Sequence, residues 1–215
     1  MRKIIVSTFL SLDGVMQAPG GPGEDPSGGF DQEGWSVNYW DERMGQIMTG
    51  FMGGAPFDLL LGRKTYEIFA AHWPHASEEE GAGPLNNATK YVVSTTLASA
   101  DWGPSVLIGR DVVEQIARVK QQDGPELQVH GSSRLIQTLI AHDLVDEYRL
   151  LIFPLLLGGG KRLFGDGVVP TGLRLVDSQT STTGVIIATY ERAGGINHGS
   201  FALDQPVAAD VERPR

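Results

Sequence analysis

Residues 57–66 read FDLLLGRKTY, a short apolar run followed by a glycine, two cations and a hydroxyl. The run predicts a buried β-strand over residues 57–61, and the residues behind it predict a short helix over 65–71. Gly62 allows a tight turn between the two elements, and Thr65 is a candidate cap for the helix. A strand that runs directly into a helix is the building unit of a parallel sheet, so this stretch indicates an α/β protein.

The same order of strand and helix recurs along the chain. Strands are predicted over residues 2–10, 57–61, 90–94, 105–108, 127–130 and 145–153, helices over 38–52 and 65–71, and an antiparallel hairpin over 172–181 and 184–191. Two further helices follow the fourth and fifth strands, the first capped by Asp111 and the second by Ser132 or Ser133. We therefore predict a three-layer α/β/α fold with a mostly parallel central sheet and an antiparallel C-terminal hairpin.

The length of 215 residues suits a single domain, which we predict over residues 1–193. Residues 194–215 lose the hydrophobic period and gain glycine, proline and charge, which predicts a flexible tail. The chain contains no cysteine, and this excludes disulfides, thiolate metal sites and a cysteine nucleophile.

The net charge of −9 argues against general nucleic-acid binding, which needs a basic face. No segment approaches the ~20 apolar residues that span a bilayer. The first residues, MRKIIVSTFLSLDG, are rich in β-branched side chains and lack a small-residue cleavage pattern, which argues against a signal peptide. We therefore expect a cytoplasmic protein that binds a small molecule and has neither a nucleic acid nor a membrane as its partner.

Candidate binding residues follow the predicted strands, because ligands of open α/β sheets bind at the carboxyl ends of the strands. After the second strand, Arg63 and Lys64 place two cations beside a predicted helix N-terminus, which suits a phosphate group. The alternative is a solvated basic turn. After the fifth strand, residues 131–133 precede a helix whose N–H groups and dipole suit a pyrophosphate, or they form an ordinary capped turn. His130 lies in an apolar strand and is more often structural in such a position.

Two further strand ends carry weaker signals. Ser94 and Thr95 follow the third strand and could bond a phosphate or an adenine, although a plain hydroxyl turn is the better interpretation of this motif alone. Asp13 follows the first strand in an acid–glycine turn that could face a substrate or could be only a turn. Residues 157–161 read LGGGK, but they lack the spacing and the hydroxyl of a nucleotide-hydrolysing phosphate loop.

Several kinds of site are missing from the sequence. No group of histidine, aspartate and glutamate has metal-ligand spacing, so we predict no metal. A G-x-S-x-G elbow is absent, which weakens a hydrolase interpretation. The G-x-G-x-x-G fingerprint after a strand is also absent, so the fold is not an ordinary Rossmann dinucleotide fold.

Five short motifs follow one another along the chain: Ser11-Leu12-Asp13-Gly14, Leu60-Leu61-Gly62-Arg63-Lys64-Thr65-Tyr66, Val92-Val93-Ser94, Val129-His130-Gly131-Ser132, and Leu144-Val145-Asp146-Glu147 with the later Pro154-Leu155-Leu156-Leu157-Gly158-Gly159-Gly160. In this order they resemble the dihydrofolate reductase-like superfamily, and more closely the C-terminal reductase domain of the bifunctional riboflavin-biosynthesis deaminase/reductase. The resemblance covers about residues 2–192. The zinc signature of the deaminase half needs cysteines, so deamination is excluded.

The resemblance implies that NADPH lies across the carboxyl ends of the strands. The residues that match the cofactor-binding positions are Thr8, Phe9, Gly62, Arg63, Lys64, Thr65, Ser94, Thr95, Gly131, Ser132 and Ser133. Arg63, Lys64 and Thr65 match the site of the extra phosphate of NADPH, and the backbone at Thr8 and Phe9 matches the nicotinamide contact. The family usually has two adjacent glycines at the pyrophosphate, and Ser132 replaces the second of them here.

Dihydrofolate reductase uses one buried acid on the helix before the second strand, and Asp41 is the candidate for that position. Asp41 and Asp13 are therefore the candidate catalytic acids, supplying a proton directly or through water. Asp41 could equally be an exposed acid of the first helical turn. Trp35, Tyr39 and Trp40 directly follow the Gly/Pro-rich loop 17–34 and offer a flat apolar wall for a heterocyclic substrate, or they belong only to the core.

The resemblance implies an NADPH-dependent reductase that transfers hydride to a pterin-like or ribosylamino-pyrimidine substrate, similar to the 5-amino-6-(5-phosphoribosylamino)uracil reductases of riboflavin biosynthesis. The alternatives are a dihydrofolate reductase and a nucleotide-binding module on this fold that has lost turnover. We also expect a homodimer, because the strand over 145–153 and the apolar residues 154–157 would leave an exposed patch on a lone subunit. The resemblance points the same way.

Overall fold

The computed structural model describes residues 1–166 and 168–201. Its strands are β1 Ile4–Ser11, β2 Phe57–Gly62, β3 Lys90–Val93, β4 Ser105–Ile108, β5 Glu126–His130, β6 Glu147–Phe153, β7 Gly172–Thr180 and β8 Ile186–Gly194. Its α-helices are α1 Glu42–Gly53, α2 Arg63–His72, α3 Ala82–Asn87, α4 Val112–Gln121 and α5 Ser133–Ala141. Single 3₁₀ turns lie at Ser27–Gly29, Val37–Tyr39, Trp73–His75 and Glu78–Glu80.

The strands form one sheet in the order β4-β3-β2-β5-β1-β6-β8-β7. The pairs among β4, β3, β2, β5, β1 and β6 are parallel, whereas β8 pairs antiparallel with both β6 and β7. The predicted α/β class, the mostly parallel sheet and the antiparallel C-terminal hairpin are therefore confirmed. Helices cover the parallel strands on both faces, which explains why successive residues of β1 such as Ile4, Ile5 and Val6 are all buried.

The helices divide between the two faces of the sheet. Ile116 of α4 and Ile136 of α5 pack with Val6 of β1 on the first face. On the second face, α1 packs over β6 and β8 through a cluster that contains Met44, and α2 and α3 pack over β2 and β3 through a cluster that contains Tyr66. β5 and β1 lie between these two groups of strands, and the part of this face between α1 and α2 is here called the gap.

The predicted helix over 38–52 is shorter in the structure, because α1 begins only at Glu42. Asp41 is the N-cap in an extended conformation, and its carboxylate accepts the N–H of Met44 at 2.7 Å. Tyr39 belongs to a separate 3₁₀ turn, so it does not continue the apolar stripe of the helix. The side-chain cap at Asp41 sets the start of the helix, so the apolar residue Tyr39 is left outside it.

The predicted caps Asp111 and Ser132 do occupy N-cap positions, but both have a left-handed backbone and neither side chain makes a capping hydrogen bond. A 3₁₀ turn at Glu78–Glu80 precedes α3, which begins at Ala82. Leu85 of α3 is buried, so tertiary packing stabilises a helix that is too short to show a period.

The patch expected along residues 145–153 is also absent, because β6 is an interior strand between β1 and β8. Leu156, which follows it, is 73% exposed. A group of exposed apolar side chains lies instead on the edge strand β7, which carries Leu173, Leu175 and Val176. β8 ends at Gly194, one residue beyond the predicted domain, and residues 202–215 of the predicted tail lie outside the described residues.

A buried ion pair joins the amino ends of the central strands. Arg2 is 4% exposed, and its guanidinium contacts the carboxylate of Asp58 at the start of β2. Asp58 also accepts the N–H of Thr89 at 2.9 Å, and Arg2 donates to the carbonyl of Pro125 at 2.6 Å. These four residues hold the amino ends of β1, β2, β3 and β5 in register.

We expect Asp58→Ala to lower the free energy of unfolding by about 3–5 kcal/mol, because it leaves the Arg2 guanidinium buried without its counter-charge. The measurement is urea unfolding at pH 7, followed by far-ultraviolet circular dichroism. Asp123→Ala, at an exposed position, is the matched control and should change stability by about 0.5 kcal/mol or less. Equal midpoints for the two variants would contradict a structural role for the pair.

Candidate active site

The turns that follow β2 and β5 are joined by two hydrogen bonds at the carboxyl edge of the sheet. Ser132 Oγ accepts the N–H of Gly62 at 3.0 Å, and the N–H of Ser132 donates to Thr65 Oγ1 at 2.9 Å. Gly131 has a left-handed φ of 51°, and a Cβ there would lie 2.9 Å from Thr65 Oγ1. The first glycine of the turn is therefore required, while the serine in the second position supplies a hydroxyl that holds the β2 turn.

The same turns bring two helix N-termini together. α2 begins at Arg63, directly after the N-cap Gly62, so Thr65 lies inside its first turn and is not the cap that the sequence suggested. Neither α2 nor α5 has a side-chain hydrogen bond at its cap. Their first-turn N–H groups therefore suit an anion, and the exposed cations Arg63 and Lys64 lie beside them. Arg63 has one loose ion pair, 3.8 Å from Glu67.

The third strand end is built differently. Ser94 is buried, and its Oγ accepts the N–H groups of Thr96 at 3.2 Å and Leu97 at 3.0 Å. This is the plain hydroxyl turn that was the better interpretation of the motif alone. Thr95 is exposed at the same edge and offers the free hydroxyl of the pair. A cofactor role for both residues stays a prediction.

An aromatic cluster fills the space between the end of β1 and helix α1. Phe153 lies at its centre, with ring centroids 5.3 Å from Phe9, 5.2 Å from Trp35 and 5.8 Å from Tyr39. Trp40 is different, because it is 49% exposed and contacts only the outer edge of the cluster, 6.4 Å from Phe9. Of the three aromatic residues predicted to contact the substrate, Trp35 and Tyr39 are packed into the core and Trp40 faces solvent.

Trp40 lines a cleft of about 720 Å³ together with Asp41, Glu42, Gly45, Gln46 and Thr49. All of these residues belong to α1 or to the two residues before it. Elsewhere on the same helix, Arg43 reaches β7 and donates to Gln179 at 2.6 Å, and Met52 packs against the cluster over β2. The cleft therefore lies along α1, and Trp40 connects it to Phe9 of β1.

Asp41 holds α1 to the turn between β7 and β8. Its carboxylate caps Met44 and also accepts the N–H of Thr182 at 2.6 Å and the hydroxyl of Thr182 at 2.7 Å. These bonds, those from Thr182 first, hold the pKa of Asp41 below its usual range. A carboxylate that is ionised at neutral pH has no proton to donate, so a role for Asp41 as a direct proton donor is disfavoured by this geometry.

Asp13 has a similar structural task in the loops that follow β1 and β6. Its carboxylate accepts the hydroxyl of Ser11 at 2.6 Å and the N–H groups of Leu157 at 3.1 Å and Gly158 at 2.9 Å. Arg162 approaches the same carboxylate at 3.4 Å. The bond from Ser11 is the main cause that lowers the pKa of Asp13 to about 2. The catalytic hypothesis for both acids stays a prediction.

The Gly/Pro-rich loop over 17–34 is held against the segment after β6. Lys161 contacts the carboxylate of Asp25, and its N–H donates to Gln17 Oε1 at 3.0 Å. Gly160 lies against the loop so closely that a Cβ would be 3.0 Å from the ring of Phe30. The glycine-rich segment thus lets the loop pack down. A second cavity, of about 440 Å³, lies between this segment and α5 and is lined by Ser133, Arg134, Gln137, Gly160, Lys161, Arg162, Phe164, Gly165 and Asp166.

His130, which the sequence suggested was structural, lies on the sheet face that carries α1 and α2. Its ring centroid is 6.2 Å from that of Phe69 in α2, and its Nε2 is 3.1 Å from Gln128 Oε1. Burial, helped by the charge of Arg149, lowers the pKa of His130 to about 4. Successive side chains of a strand point to opposite faces, and the neighbouring Val129 lies on the other face of the sheet. This alternation was the signal in the sequence that could have placed His130 on the face of the gap.

Residues 2–187 match the family model described as the RibD C-terminal domain. The chain belongs to the RibD C-terminal domain family. Two proteins of Bacillus subtilis (strain 168), both described as uncharacterized, are similar over nearly their whole length. YyaP is 28% identical over 201 residues, which are 90% of this chain and 96% of that protein. YwjB is 26% identical over 176 residues, which are 81% and 89% of the two chains.

Solved structures share the fold. A protein assigned to riboflavin biosynthesis from Shewanella sp. PV-4 aligns with a TM-score of 0.59 and 23% identity, over 88% of this chain and 98% of that one. Dihydrofolate reductase from Enterococcus faecalis, complexed with NADP(H) and an inhibitor named RAB-propyl, aligns with a TM-score of 0.55 and 17% identity, over 89% and 96%. A pyrimidine reductase-like protein from Corynebacterium diphtheriae reaches 0.55 at 12% identity, over 89% and 92%.

The resemblance read from the five motifs is therefore confirmed, and so is the dihydrofolate reductase-like fold. Within residues 1–166 and 168–201, no helix is long and apolar enough to cross a membrane. The same described residues contain no group of three or more histidine, aspartate or glutamate side chains arranged to hold a metal ion.

The lowered pKa of His130 predicts a pH dependence of stability. The folded chain takes up the His130 proton only near pH 4, whereas an unfolded histidine takes it up near 6.5, so stability is lost as the pH falls below 6.5. Between pH 7 and pH 5 this costs about 2 kcal/mol. His130→Asn should remove that part of the loss, as measured by urea unfolding at both pH values. If wild type and variant lose equal stability over this interval, the His130 pKa is not lowered. Glu126 and Arg149, the charged neighbours on this face, are present in both proteins.

Proposed function

We propose that this protein is an NADPH-dependent reductase of a pterin-like or ribosylamino-pyrimidine substrate. The observation that carries the proposal is the pair of joined turns after β2 and β5. They place two helix N-termini without side-chain caps next to each other, with Arg63 and Lys64 exposed beside them. Backbone N–H groups and cations that converge in this way suit the phosphates of a dinucleotide.

The residues present fit NADPH. Arg63 and Lys64 would bind the extra phosphate, and the first-turn N–H groups of α2 and α5, with Ser133, would bind the pyrophosphate. Thr95 would lie near the adenosine, and the backbone at Thr8 and Phe9 would contact the nicotinamide. When bound, NADPH supplies a hydride to an electron-poor carbon of the substrate.

The protein itself binds the substrate and excludes water. Trp40 and Phe9 offer flat apolar surface at the mouth of the cleft beside α1, where a heterocycle can stack. Because the pKa values of Asp13 and Asp41 are lowered, either carboxylate would act on a proton only through an ordered water molecule. The similarity to the pyrimidine reductase-like protein of Corynebacterium diphtheriae supports a pyrimidine substrate. The similarity to the Enterococcus dihydrofolate reductase, which was solved with NADP(H), supports the cofactor.

We also propose that the protein is a cytoplasmic homodimer. The edge strand β7 supports this, because Leu173, Leu175 and Val176 are about half exposed on a strand with an unpaired outer edge. Long exposed apolar edges invite pairing with another chain. A second copy of the chain would cover both the edge and its apolar side chains.

Arg63→Ala should weaken NADPH binding about tenfold or more and leave NADH binding nearly unchanged, since a charge-assisted hydrogen bond contributes about 1.5–3 kcal/mol. Dissociation constants of both cofactors are measured by the fluorescence of the reduced nicotinamide. Arg118→Ala is the matched control, because Arg118 is exposed in the last turn of α4, far from the carboxyl edge. An equal loss for NADH and NADPH would show that Arg63 does not bind the extra phosphate.

Wild-type protein should oxidise NADPH, followed at 340 nm, with 5-amino-6-(5-phosphoribosylamino)uracil as the acceptor. Dihydrofolate, tested in parallel, separates the pyrimidine reductase from the dihydrofolate reductase alternative. Asp13→Asn and Asp41→Asn should lose turnover while keeping cofactor affinity if the carboxylates position water. Cofactor binding without oxidation of either acceptor would favour the binding-module alternative instead.

A further inference from the structure

The sheet between α1 and α2 presents a row of polar side chains toward the gap. Ser7 of β1 pairs with His130 of β5 on one side and with Arg149 of β6 on the other. Residues in register across a sheet share a face, so these three side chains lie in one row. Phe9 is two residues beyond Ser7 on the same face and contacts Trp40 at the cleft. His130 is therefore one row below Phe9 on this face of the sheet.

The orientation of Gln128 fixes the tautomer of His130. Gln128 Nε2 donates to the carbonyl of Phe51 at 3.0 Å and to Glu126 Oε1 at 2.8 Å. Its Oε1 is therefore the atom that faces His130, and an amide oxygen only accepts, so the hydrogen bond of 3.1 Å requires a proton on Nε2 of the imidazole. In the neutral ring the proton on Nε2 leaves Nδ1 with a free lone pair.

Nδ1 of His130 makes no hydrogen bond within residues 1–166 and 168–201. Over the same part of the chain, every buried side-chain nitrogen or oxygen has a hydrogen-bond partner. Nδ1 is therefore accessible from outside, although most of the ring is covered and one side packs on Phe69 of α2. A neutral acceptor is thus held rigidly by Gln128 and Phe69 at the base of the gap.

We propose that Nδ1 of His130 accepts a hydrogen bond from a ring N–H group of the heterocycle that binds between α1 and α2. His130 is then a specificity-determining residue that selects heterocycles with an N–H donor on the inward edge, such as a uracil or a pterin. This proposal deepens the proposed function and relies on it only for the location of the heterocycle. An N-alkylated heterocycle loses the donor and places a methyl group against Nδ1, so it is rejected.

Two substitutions separate the acceptor role from a structural one. In His130→Asn the amide oxygen can take the place of Nδ1, so the acceptor is kept while the bond to Gln128 is lost. In His130→Gln the amide reaches the position of Nε2, so the bond to Gln128 is kept while the acceptor at Nδ1 is lost. The two variants therefore make opposite predictions for a ligand-binding role and for a packing role.

The test is calorimetric titration with 5,6-diaminouracil and with its 1,3-dimethyl analogue, which lacks the ring N–H groups. Wild type should bind the first at least tenfold more tightly. His130→Gln should lose about tenfold in affinity for 5,6-diaminouracil, and His130→Asn should stay within about threefold. The proposal is overturned if His130→Asn loses more affinity than His130→Gln, or if both variants lose equally. It is also overturned if wild type binds the two probes with equal affinity or does not bind 5,6-diaminouracil.

A measurement on the unmodified chain covers the case in which a variant does not fold. In protein labelled with ¹⁵N-histidine, the unprotonated Nδ1 resonance of His130 should move when 5,6-diaminouracil is added, among the signals of five histidines. An unmoved resonance at saturation would overturn the proposal. The titration needs no turnover, so its outcome is independent of catalysis. Selective binding of 5,6-diaminouracil without NADPH oxidation would contradict only the proposed reductase activity. NADPH oxidation together with unaltered ligand binding in His130→Gln would contradict only the proposed role of His130.

Discussion

The contact between Ser132 and the turn after β2 is the constraint on which the site depends. β2 and β5 are neighbours in the sheet, but α2 leaves β2 toward one face and α5 leaves β5 toward the other. Connections that diverge in this way open a crevice at the carboxyl edge. Two hydrogen bonds through Ser132 join the two sides of this crevice beside the N-termini of α2 and α5.

The loops above this edge are held by carboxylates. Asp13 joins the loop after β1 to the segment after β6, Asp25 holds the 17–34 loop to Lys161, and Asp41 joins α1 to the last hairpin. Each of these acids accepts hydrogen bonds while ionised, and each therefore has a lowered pKa. An acid that several hydrogen bonds hold in its ionised form is poorly suited to donate a proton.

The sheet surface beneath the gap carries a neutral titratable side chain, unlike the ionised acids of the loops. His130 is covered, its pKa is lowered, and the ring stays neutral through the physiological range. The charges around it are paired, because Arg149 lies 2.7 Å from Glu147 and 3.2 Å from Glu126. Arg63 and Lys64, by contrast, are exposed cations at the start of α2.

The sequence by itself determined the strand–helix order, the C-terminal hairpin and the family, because these follow from local hydrophobic period, turn residues and short motifs. It also marked Gly131 as a turn residue, and the structure gives this glycine a left-handed φ of 51°. The roles of single side chains were decided only by tertiary structure. Ser132 bonds to a residue 70 positions away, and Asp41 bonds to one 141 positions away, so neither partner has a local signature. His130 became a candidate ligand-binding residue only through the strand order of the sheet. β5 lies between β2 and β1, which places the His130 side chain on the face between α1 and α2. Strand order is set by packing of the whole sheet and has no local sequence signature.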